Sequence, residues 1–425
     1  MKMMKYKLNQ LGDFKNGANY PKDSYGKGDK IVNVKDLFRG RFVDETSLDE
    51  LKPGVLRDKS IYQTEDGDIL FTRSSLVRSG AGMCAMIHNP SQCILFCGFI
   101  IRYRLFDKTS VYPLYLLYLL RSPQYRNLFT GNQQTNITNI NQDSLGDIDV
   151  YLPVDENGDI DYTEQVKLVS VLNALDDKIA LNKKMNQKLE AMAKRLYDYW
   201  FVQYDFPDKN GYPYKTTGGP MTYNPTLKRE IPEGWEVSSF TDFGFFKNGI
   251  NYDKNEIGDE IVKIVNVRNI SDSTTYFNID ELDDITLKSD DIQKFVATPK
   301  DILLARSGSP GATRLLPQTD KKIIYCGFII RYQLNEQDLD KQLYLFHVLK
   351  GYEQVTSTQS AGSILKNISQ DTLNALTVVM PQSSVLDAFN KRITPICSML
   401  RKNISELNKL TALRDKLLPL LMNGQ

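Results

Sequence analysis

The feature that most constrains this chain is an internal duplication. The segment FKNGANY, from Phe14 to Tyr20, returns as FKNGINY, from Phe246 to Tyr252. The blocks IVNV, DIL-x-x-RS and CGFIIRY recur in the same order, and NQDSL is matched by SQDTL. The offset between matching blocks drifts only from 233 to 228 residues. Solenoid repeats have units of about 20–50 residues, so the sequence predicts two copies of one globular module.

Each copy mixes strand and helix patterns. The runs IVNV, DILF and CILFCGFIIRY are rich in β-branched residues and predict strands. The last run is so continuously apolar that we expect it to be buried on both faces. Helical patterns follow at residues 112–121 and 339–350. We therefore predict an α+β protein that contains two similar mixed α/β domains.

A long amphipathic helix is predicted to end each copy. Apolar residues at alternating steps of four and three run through residues 165–200 and 386–421, which is typical of a coiled-coil seam. At 1.5 Å per residue, each helix is roughly 54 Å long. Pro395 is expected to kink or break the second helix, and Pro419 to end its straight part.

Two asparagines, Asn182 and Asn403, occupy equivalent positions near the middle of the two seams. One interpretation is that they are tolerated polar positions, partly reached by water. The alternative is that the two helices pair as an antiparallel coiled coil with pseudo-two-fold symmetry. The two amides would then meet and fix the register of the pair.

These patterns divide the chain into five segments. The predicted boundaries are a first domain at residues 1–155, a central long helix at 160–201, a connector at 202–230, a second domain at 231–381 and a C-terminal long helix at 383–425. The connector lacks periodicity and is expected to be extended. The second domain opens with IPEGWE, which has no counterpart in the first. We therefore expect the amino-terminal edges of the two domains to differ.

Composition excludes several classes of protein. With 53 Lys plus Arg against 52 Asp plus Glu, no excess of charge points to a nucleic-acid or membrane partner. The two histidines fall in different copies, and Cys93 and Cys97 have no second ligand pair, so neither a catalytic histidine nor a metal site is expected. The amino terminus lacks the apolar run of a signal peptide, which predicts a cytoplasmic protein.

The motifs of several enzyme classes are missing from the sequence. It has no G-x-x-x-x-G-K-[ST] phosphate loop and no G-x-S-x-G nucleophile elbow. The Gly-rich stretches that begin at Ser79 and Ser307 lack the spacing of a dinucleotide-binding turn. We therefore expect a binding protein with no catalytic residue and no cofactor of its own.

Polar residues at equivalent turns of the two copies suit contact with DNA. Arginine forms paired hydrogen bonds with guanine, and asparagine or glutamine with adenine, while lysine and serine contact phosphates. The DNA-binding candidates are Lys15, Asn16, Asn19, Tyr20, Arg73, Ser74, Arg78, Gln133, Gln134, Thr135, Asn136, Lys247, Asn248, Asn251, Tyr252, Arg306, Ser307, Arg314, Gln359 and Ser360. Each of them is also, taken alone, typical of a residue that holds a turn or caps a helix.

The sequence resembles the specificity (S) subunit of type I restriction–modification enzymes along essentially its whole length. The features that carry the resemblance are DIL-x-x-RS and CGFIIRY in both copies, the IPEGWE opening, and the run-ins NINQDSLGDIDVYLP and NISQDTLNALTVVMP to the long helices. Each motif is modest alone, but their order and duplication make the match specific. The first copy departs from the pattern because it lacks the opening.

The resemblance implies a non-catalytic subunit with two target-recognition domains, each reading one half of a bipartite site in double-stranded DNA. It implies that the long helices set the length of the nonspecific DNA spacer between the two half-sites. It also implies that they dock two methyltransferase (M) subunits. S-adenosylmethionine, ATP and Mg would be bound by the M and restriction (R) subunits, in a bacterial or archaeal cytoplasm. The alternative is a duplicated protein–protein scaffold with no DNA specificity.

Overall fold

The computed structural model describes residues 2–75, 80–130, 138–253, 258–271, 274–359 and 367–423. They fall into two compact units. The first contains Met1–Ile179 and Leu410–Gln425, and the second contains Ala180–Lys409. Each unit therefore combines one copy of the duplicated module with a part of each long helix.

The first unit is built mainly of short strands. Its elements are β1 (Met3–Lys7), α1 (Leu8–Leu11), β2 (Gly12–Asn16), β3 (Tyr25–Val32), β4 (Asp49–Leu51), β5 (Ile69–Thr72), β6 (Ser74–Ser75), β7 (Cys84–Met86), β8 (Ile94–Phe96), β9 (Ile100–Leu105), α2 (Pro113–Arg121), α3 (Pro123–Thr130), β10 (Thr138–Asn139), α4 (Gln142–Gly146) and β11 (Asp149–Pro153). The long helix α5 (Tyr162–Tyr197) follows and continues as a π-helical turn, Asp198–Val202.

The core of the first unit lies on both faces of one antiparallel sheet with the strand order β2-β9-β5-β7. Ile69 and Phe71 of β5 point into the cluster that contains α2, whereas Leu70 points into the cluster on the opposite face. The second cluster also covers a three-stranded sheet, β4-β3-β8, in which β3 and β8 are parallel. Burial on both faces, expected for the last apolar run, is confirmed for its strand β9, where Ile101 and Tyr103 belong to the first cluster and Ile100 to the second.

The second unit contains the same kinds of elements. They are β12 (Met221–Asn224), β13 (Arg229–Pro232), β14 (Glu236–Ser239), β15 (Gly244–Asn248), β16 (Glu260–Val265), α6 (Val267–Ile270), β17 (Asp283–Leu287), α7 (Ser289–Ile292), β18 (Val296–Ala297), β19 (Ile302–Ala305), β20 (Thr313–Leu315), β21 (Ile323–Tyr325), β22 (Ile329–Leu334), α8 (Gln342–Gln359), α9 (Gln370–Asn374) and β23 (Thr377–Met380). The second long helix, α10 (Ser383–Met422), comes last.

Strand pairing repeats from one unit to the other. The sheet β15-β22-β19-β20 reproduces β2-β9-β5-β7, and the parallel pair β16–β21 reproduces β3–β8. The strand β1 pairs antiparallel with β11, as β14 does with β23. The two copies therefore share their amino-terminal edge strand, and the predicted difference is confined to the residues that precede it. The duplicated α+β architecture is confirmed.

The long helices pair antiparallel. In the second unit, Asn182 of α5 hydrogen-bonds Glu406 of α10, and further along α5 the ring of Trp200 lies 6.0 Å from that of Phe389. In the first unit, the beginning of α5 shares an apolar cluster with the end of α10, which includes Leu418 and Met422. The predicted helix pair is confirmed.

The predicted amide pair between Asn182 and Asn403 is wrong. Both side chains are buried in the seam, but Asn182 donates to Oε2 of Glu406 at 3.0 Å and Asn403 donates to Oδ1 of Asn186 at 2.9 Å. The seam is staggered by about one turn, so each amide reaches the next polar residue of the facing helix.

Two expectations about chain interruptions meet the structure differently. Helix α10 is continuous through Pro395 and Pro419, so the predicted break at Pro395 is absent, and the burial of Phe389 and Ile393 stabilises the helix beside this proline. The connector is not extended: it contains the hairpin β12–β13, and Phe206 stacks on Trp235 at 5.1 Å in the core of the second unit. No helix among the described residues is long and apolar enough to cross a membrane.

Candidate nucleic-acid interface

Three segments of the first unit meet beyond the end of β5. The backbone N–H of Arg73 donates to the carbonyl of Phe99 at 2.8 Å, and the N–H of Ile140 donates to the carbonyl of Arg73 at 2.8 Å. These segments form a cleft of about 360 Å³, which we call the first corner. The first corner consists of Asn19, Arg73, Ser74, Gly98, Phe99, Ile140 and Asn141.

The second unit builds the same junction. The N–H of Arg306 donates to the carbonyl of Phe328 at 2.8 Å, and the N–H of Ile368 donates to the carbonyl of Arg306 at 2.9 Å. The second corner, defined by equivalence, consists of Asn251, Arg306, Ser307, Gly327, Phe328, Ile368 and Ser369. The structure thus brings together, in each unit, an asparagine, an arginine and a serine that the sequence analysis had selected.

Glycines permit the close approach of the segments in each corner. A Cβ atom at Gly17 would lie 2.1 Å from the carbonyl oxygen of Cys97, and one at Gly249 would lie 2.2 Å from that of Cys326. A Cβ atom at Gly98 would likewise lie 2.0 Å from Oδ1 of Asn19. Only glycine allows the KNG segment, and the corner asparagine three residues after its own asparagine, to lie directly against the Cys-Gly-Phe turn.

The arginines are the cationic groups of the corners. Arg73 is exposed and Arg306 is half-buried. Within the described ranges, neither guanidinium has an ion pair or a hydrogen bond. By contrast, the buried Arg102 of the same unit is paired with Asp13 at 2.9 Å. An unpaired guanidinium at the mouth of a cleft is suited to an anionic or hydrogen-bond-accepting ligand.

An exposed phenylalanine in each corner was missed by the sequence analysis. Phe99 is 63% exposed and Phe328 is 62% exposed, whereas Phe96 and Ile100 on either side of the first turn are fully buried. We had expected the whole apolar run to be buried. The available signal was the Cys-Gly-Phe triplet, which interrupts the run identically in both copies.

The two tyrosines among the DNA-binding candidates, Tyr20 and Tyr252, stabilise the loops of the corners through hydrogen bonds. Tyr20 donates from its hydroxyl to Oδ1 of Asn33 at 3.0 Å, and Tyr252 donates to the equivalent Asn266 at 3.2 Å. Burial, followed by the hydrogen bond with Tyr25, raises the pKa of Tyr20 far above its ordinary value. The Tyr20 hydroxyl therefore remains a protonated donor, and in each unit the tyrosine fixes the loop that carries the asparagine of the corner.

Two capping residues position the helices that follow the corners. Oδ1 of Asn141 accepts from the N–H of Ser144 at 2.7 Å, and Oγ of Ser369 accepts from the N–H of Thr372 at 3.1 Å. These are N-cap bonds of α4 and α9. The motifs that precede the long helices therefore have a structural role, since each of them caps a short helix.

The remaining candidates of the KNG motifs lie at the ends of edge strands β2 and β15. Asn16 is exposed and Lys15 is half-buried. Lys247 donates to the carbonyl of Lys294 at 2.8 Å, and burial, assisted by the nearby Arg331, lowers the pKa of Lys247. Oδ1 of Asn248 is buried without a hydrogen-bond partner among the described residues. These four residues do not line the corners.

Arg314 is a wrong prediction. Its side chain is fully buried on β20, where it pairs with Glu353 at 3.5 Å and donates to the carbonyl of Thr313 at 2.6 Å. A guanidinium enclosed in this way cannot reach a ligand in solvent.

The remaining candidates are not placed in a corner. Gln359 is the last residue of α8. The candidates Arg78, Gln133, Gln134, Thr135, Asn136 and Ser360 lie outside the described residues.

Both histidines stack on aromatic rings, and neither is among the residues of the corners. His347 is buried beside Tyr197, with ring centroids 5.3 Å apart, and burial lowers its pKa to about 3. His88 stacks on Phe42 at 4.5 Å. The described residues contain no group of three or more His, Cys, Asp and Glu side chains that could hold a metal ion.

Comparisons with known proteins agree with this architecture. Residues 1–191 match the family model described as the type I restriction modification DNA specificity domain. The type I restriction enzyme MjaIX specificity subunit of Methanocaldococcus jannaschii is 24% identical, and the alignment covers 99% of this chain and 92% of that protein. The type I restriction enzyme HindI specificity subunit of Haemophilus influenzae is 21% identical, with 93% and 94% coverage.

One solved structure supports the fold along the whole chain. The crystal structure of the S subunit of a type I restriction–modification system from M. genitalium matches with a TM-score of 0.57 at 14% identity. The match covers 99% of this chain and 96% of that one. At this identity the likeness bears on the fold alone.

Proposed function

We propose that this chain is the DNA-reading subunit of a type I restriction–modification complex, because residues 1–191 match the DNA specificity domain of that family and the similarity to two specificity subunits extends along nearly the whole chain. Each unit would read one half of a bipartite site in double-stranded DNA. The observation that carries the proposal is the duplicated corner, in which Arg73 and Arg306 occupy the same hydrogen-bonded junction in the two units.

The side chains of the corners suggest how a half-site is read. An arginine can form two hydrogen bonds with O6 and N7 of guanine, and an asparagine can pair with N6 and N7 of adenine. Arg73 and Asn19 supply these groups in the first corner, and Arg306 and Asn251 supply them in the second. A neutral chain suits this role, because base edges are read by hydrogen bonds and partner subunits can add the phosphate contacts.

The helix pair is proposed to set the spacer between the half-sites. Helices α5 and α10 each contribute residues to both units. A 36-residue helix such as α5 is roughly 54 Å long, and successive half-sites on one face of DNA are about 34–36 Å apart. A helix pair of this length is sufficient for the span.

Exposed apolar residues on α5 support docking of a methyltransferase subunit. Leu181, Met185 and Met192 of α5, and Tyr199 and Val202 of the π-helical turn that continues it, are between 40% and 57% exposed. Their spacings of four, seven, seven and three residues follow a heptad pattern. This solvent-facing seam is distinct from the one that faces α10 and is suited to a partner helix.

A second docking seam is indicated on α10. Leu413 and Leu420 of the first unit are exposed and lie 221 residues after Met192 and Tyr199, which is the offset that superimposes the two helices. Two equivalent seams would accept two M subunits, one at each unit.

The chemistry is proposed to reside on the partner chains. M subunits would bind S-adenosylmethionine and methylate adenine, and R subunits would use ATP and Mg for translocation and cleavage. The chain itself would be non-catalytic and would act in the cytoplasm of a bacterium or archaeon, where the DNA is.

Methylome sequencing of the host with and without this chain tests the proposal. The expected result is a bipartite methylated motif that disappears when the gene is deleted and returns with the wild-type gene. In the complex with M subunits, Arg73→Ala is expected to relax one half-site and Arg306→Ala the other. The variants Arg73→Lys and Arg306→Lys keep the charge but lose the paired hydrogen bonds, so they separate base reading from phosphate binding.

A duplicated protein–protein scaffold gives a different outcome. The complex with M subunits would then form, but deleting the chain would leave the sequence of the methylated motif unchanged. That result would contradict the proposal.

A further inference from the structure

The exposed phenylalanines of the two corners are unlike the residues around them. Residues 94–97 and 100–103 are buried, while the ring of Phe99 between them is mostly in solvent. Phe328 has the same position and nearly the same exposure in the second unit. An aromatic ring exposed at equivalent places in two copies that otherwise differ in many loops is not explained by the packing of either core.

The backbone holds each ring in a fixed place. The carbonyl of Phe99 accepts from Arg73 at 2.8 Å, the N–H of Gly98 donates to Ala18 at 2.6 Å, and the N–H of Ile100 donates to Cys97 at 2.9 Å. The equivalent bonds to Phe328 and Ile329 are 2.8 Å and 2.9 Å long. The turn therefore presents its side chain from a rigid support, which reduces the entropy lost on binding.

The surroundings of the rings indicate an anionic ligand with flat apolar surfaces. Arg73 and Asn19 line the first corner with Phe99, and Arg306 and Asn251 belong to the second corner with Phe328. The guanidinium of Arg73 has no ion-pair partner in the ranges that the structure describes. DNA combines phosphates and hydrogen-bonding base edges with the faces of stacked bases.

We infer that Phe99 and Phe328 are wedges, each of which enters one half-site and contacts the face of a base at a partly unstacked step. This inference rests on the proposed function and adds to it a sequence-tolerant contact in each unit. The arginine and asparagine beside the ring read base edges, and the ring fixes the distance between the corner and the stack. Because every base has a π-face, the same phenylalanine serves two different half-sites.

The test uses the assembled methyltransferase, with this chain and its M subunits, on DNA that contains the methylated motif. Phe99→Ala is compared with Phe106→Ala. Phe106 is 68% exposed at the other end of β9, roughly 20 Å away along the strand, and its position in the second copy is occupied by Asn335. Both variants lose an exposed ring, so both are expected to keep the thermal unfolding midpoint of the wild type.

The expected result is that Phe99→Ala weakens binding of specific DNA by about 10- to 100-fold, whereas Phe106→Ala changes it less than 2-fold. Phe99→Trp, which keeps a flat ring, is expected to retain most of the affinity. 2-Aminopurine, placed in turn at each adenine of the half-site other than the methylated one, reports unstacking as increased fluorescence on binding. The increase is expected at one position and is lost in Phe99→Ala. Phe328→Ala produces the same changes at the other half-site.

Two outcomes overturn the wedge. One is unchanged affinity and fluorescence in both Phe99→Ala and Phe328→Ala while the complex still binds its motif. The other is evidence that the ring contacts a thymine methyl group instead of a base face. In that case replacing one thymine by uracil lowers the affinity, and 2-aminopurine fluorescence does not change on binding. Neither result affects the proposed function, which fails if the sequence of the methylated motif does not depend on this chain.

Discussion

Replacing Asp176 by alanine removes a carboxylate on which three donors from different elements of the first unit converge. Oδ2 accepts from the hydroxyl of Tyr118 on α2 at 2.7 Å and lies 3.6 Å from Nη1 of Arg41. Oδ1 pairs with Arg414 of α10 at 3.1 Å. The side chain of Asp176 on α5 is only 13% exposed. This one group therefore joins the module to both long helices within the unit.

The expected loss of stability follows from these contacts. A hydrogen bond to a charged acceptor contributes about 1.5–3 kcal/mol. The pair with the partly exposed Arg414 adds no more than about 1 kcal/mol. Arg41 keeps a second acceptor, Asp177, so its guanidinium is not left unpaired. We expect Asp176→Ala to lower the free energy of unfolding of the first unit by about 3 kcal/mol.

Hydrogen exchange measures this loss locally, which matters because a chain with two compact units need not unfold in one step. Amides of α2 and of the first half of α5 are expected to exchange about 100-fold faster in Asp176→Ala, which is the ratio that corresponds to about 3 kcal/mol. The matched control is Asp177→Ala. Its carboxylate also pairs with Arg41 but is 61% exposed, so the loss is expected to stay below about 1 kcal/mol. Equal effects of the two variants would refute the reasoning.

Three further predictions concern other parts of the chain. Because the folded pKa of His347 is depressed to about 3, its contribution to stability is present above pH 6.5 and is lost as the pH falls. Between pH 7 and pH 5, urea unfolding should therefore show a loss about 2 kcal/mol larger in the wild type than in His347→Phe, and equal losses would contradict this. Inserting seven residues after Ile179 and seven after Lys409, at the boundaries of the compact units, preserves the seam and adds about 10.5 Å of helix. Methylome sequencing should then show a spacer up to about three base pairs longer with unchanged half-sites; altered half-sites with the old spacer would count against it. Gly17→Ala forces a Cβ against the carbonyl of Cys97 and should destabilise the first unit by about 1–3 kcal/mol in urea unfolding, whereas Gly40→Ala, which meets no atom within 3.6 Å, should change it by no more than about 0.5 kcal/mol.

Much of the architecture could be predicted because it repeats or is periodic. The duplication indicated two modules, and the spacing of apolar residues indicated the helices that became α5 and α10. The helix at residues 112–121 was predicted from its apolar, helical pattern, and it is observed as α2, which begins at Pro113. Such helices can be predicted from local sequence because the burial of their apolar face in the folded protein stabilises the same helical structure that the pattern indicates.

What could not be predicted depends on pairing between distant segments. Nothing near Arg314 in the sequence shows that its guanidinium is enclosed beside Glu353. The stagger of the helix pair brings Asn182 to Glu406, which lies 224 residues away in the sequence, so no local pattern indicates it. Phe99 was misread for the opposite reason: its apolar neighbours suggested burial, but the turn between β8 and β9 leaves its ring exposed to solvent.

The first unit is discontinuous in the chain, since Leu418 and Met422 belong to its core together with Leu172. During synthesis the first module leaves the ribosome before the residues that complete it exist, while the second unit is one continuous segment. Until the last helix emerges, the apolar side of α5 near Leu172 has no cover from α10. A stop codon near the 3′ end of the gene would thus damage the module encoded at its 5′ end.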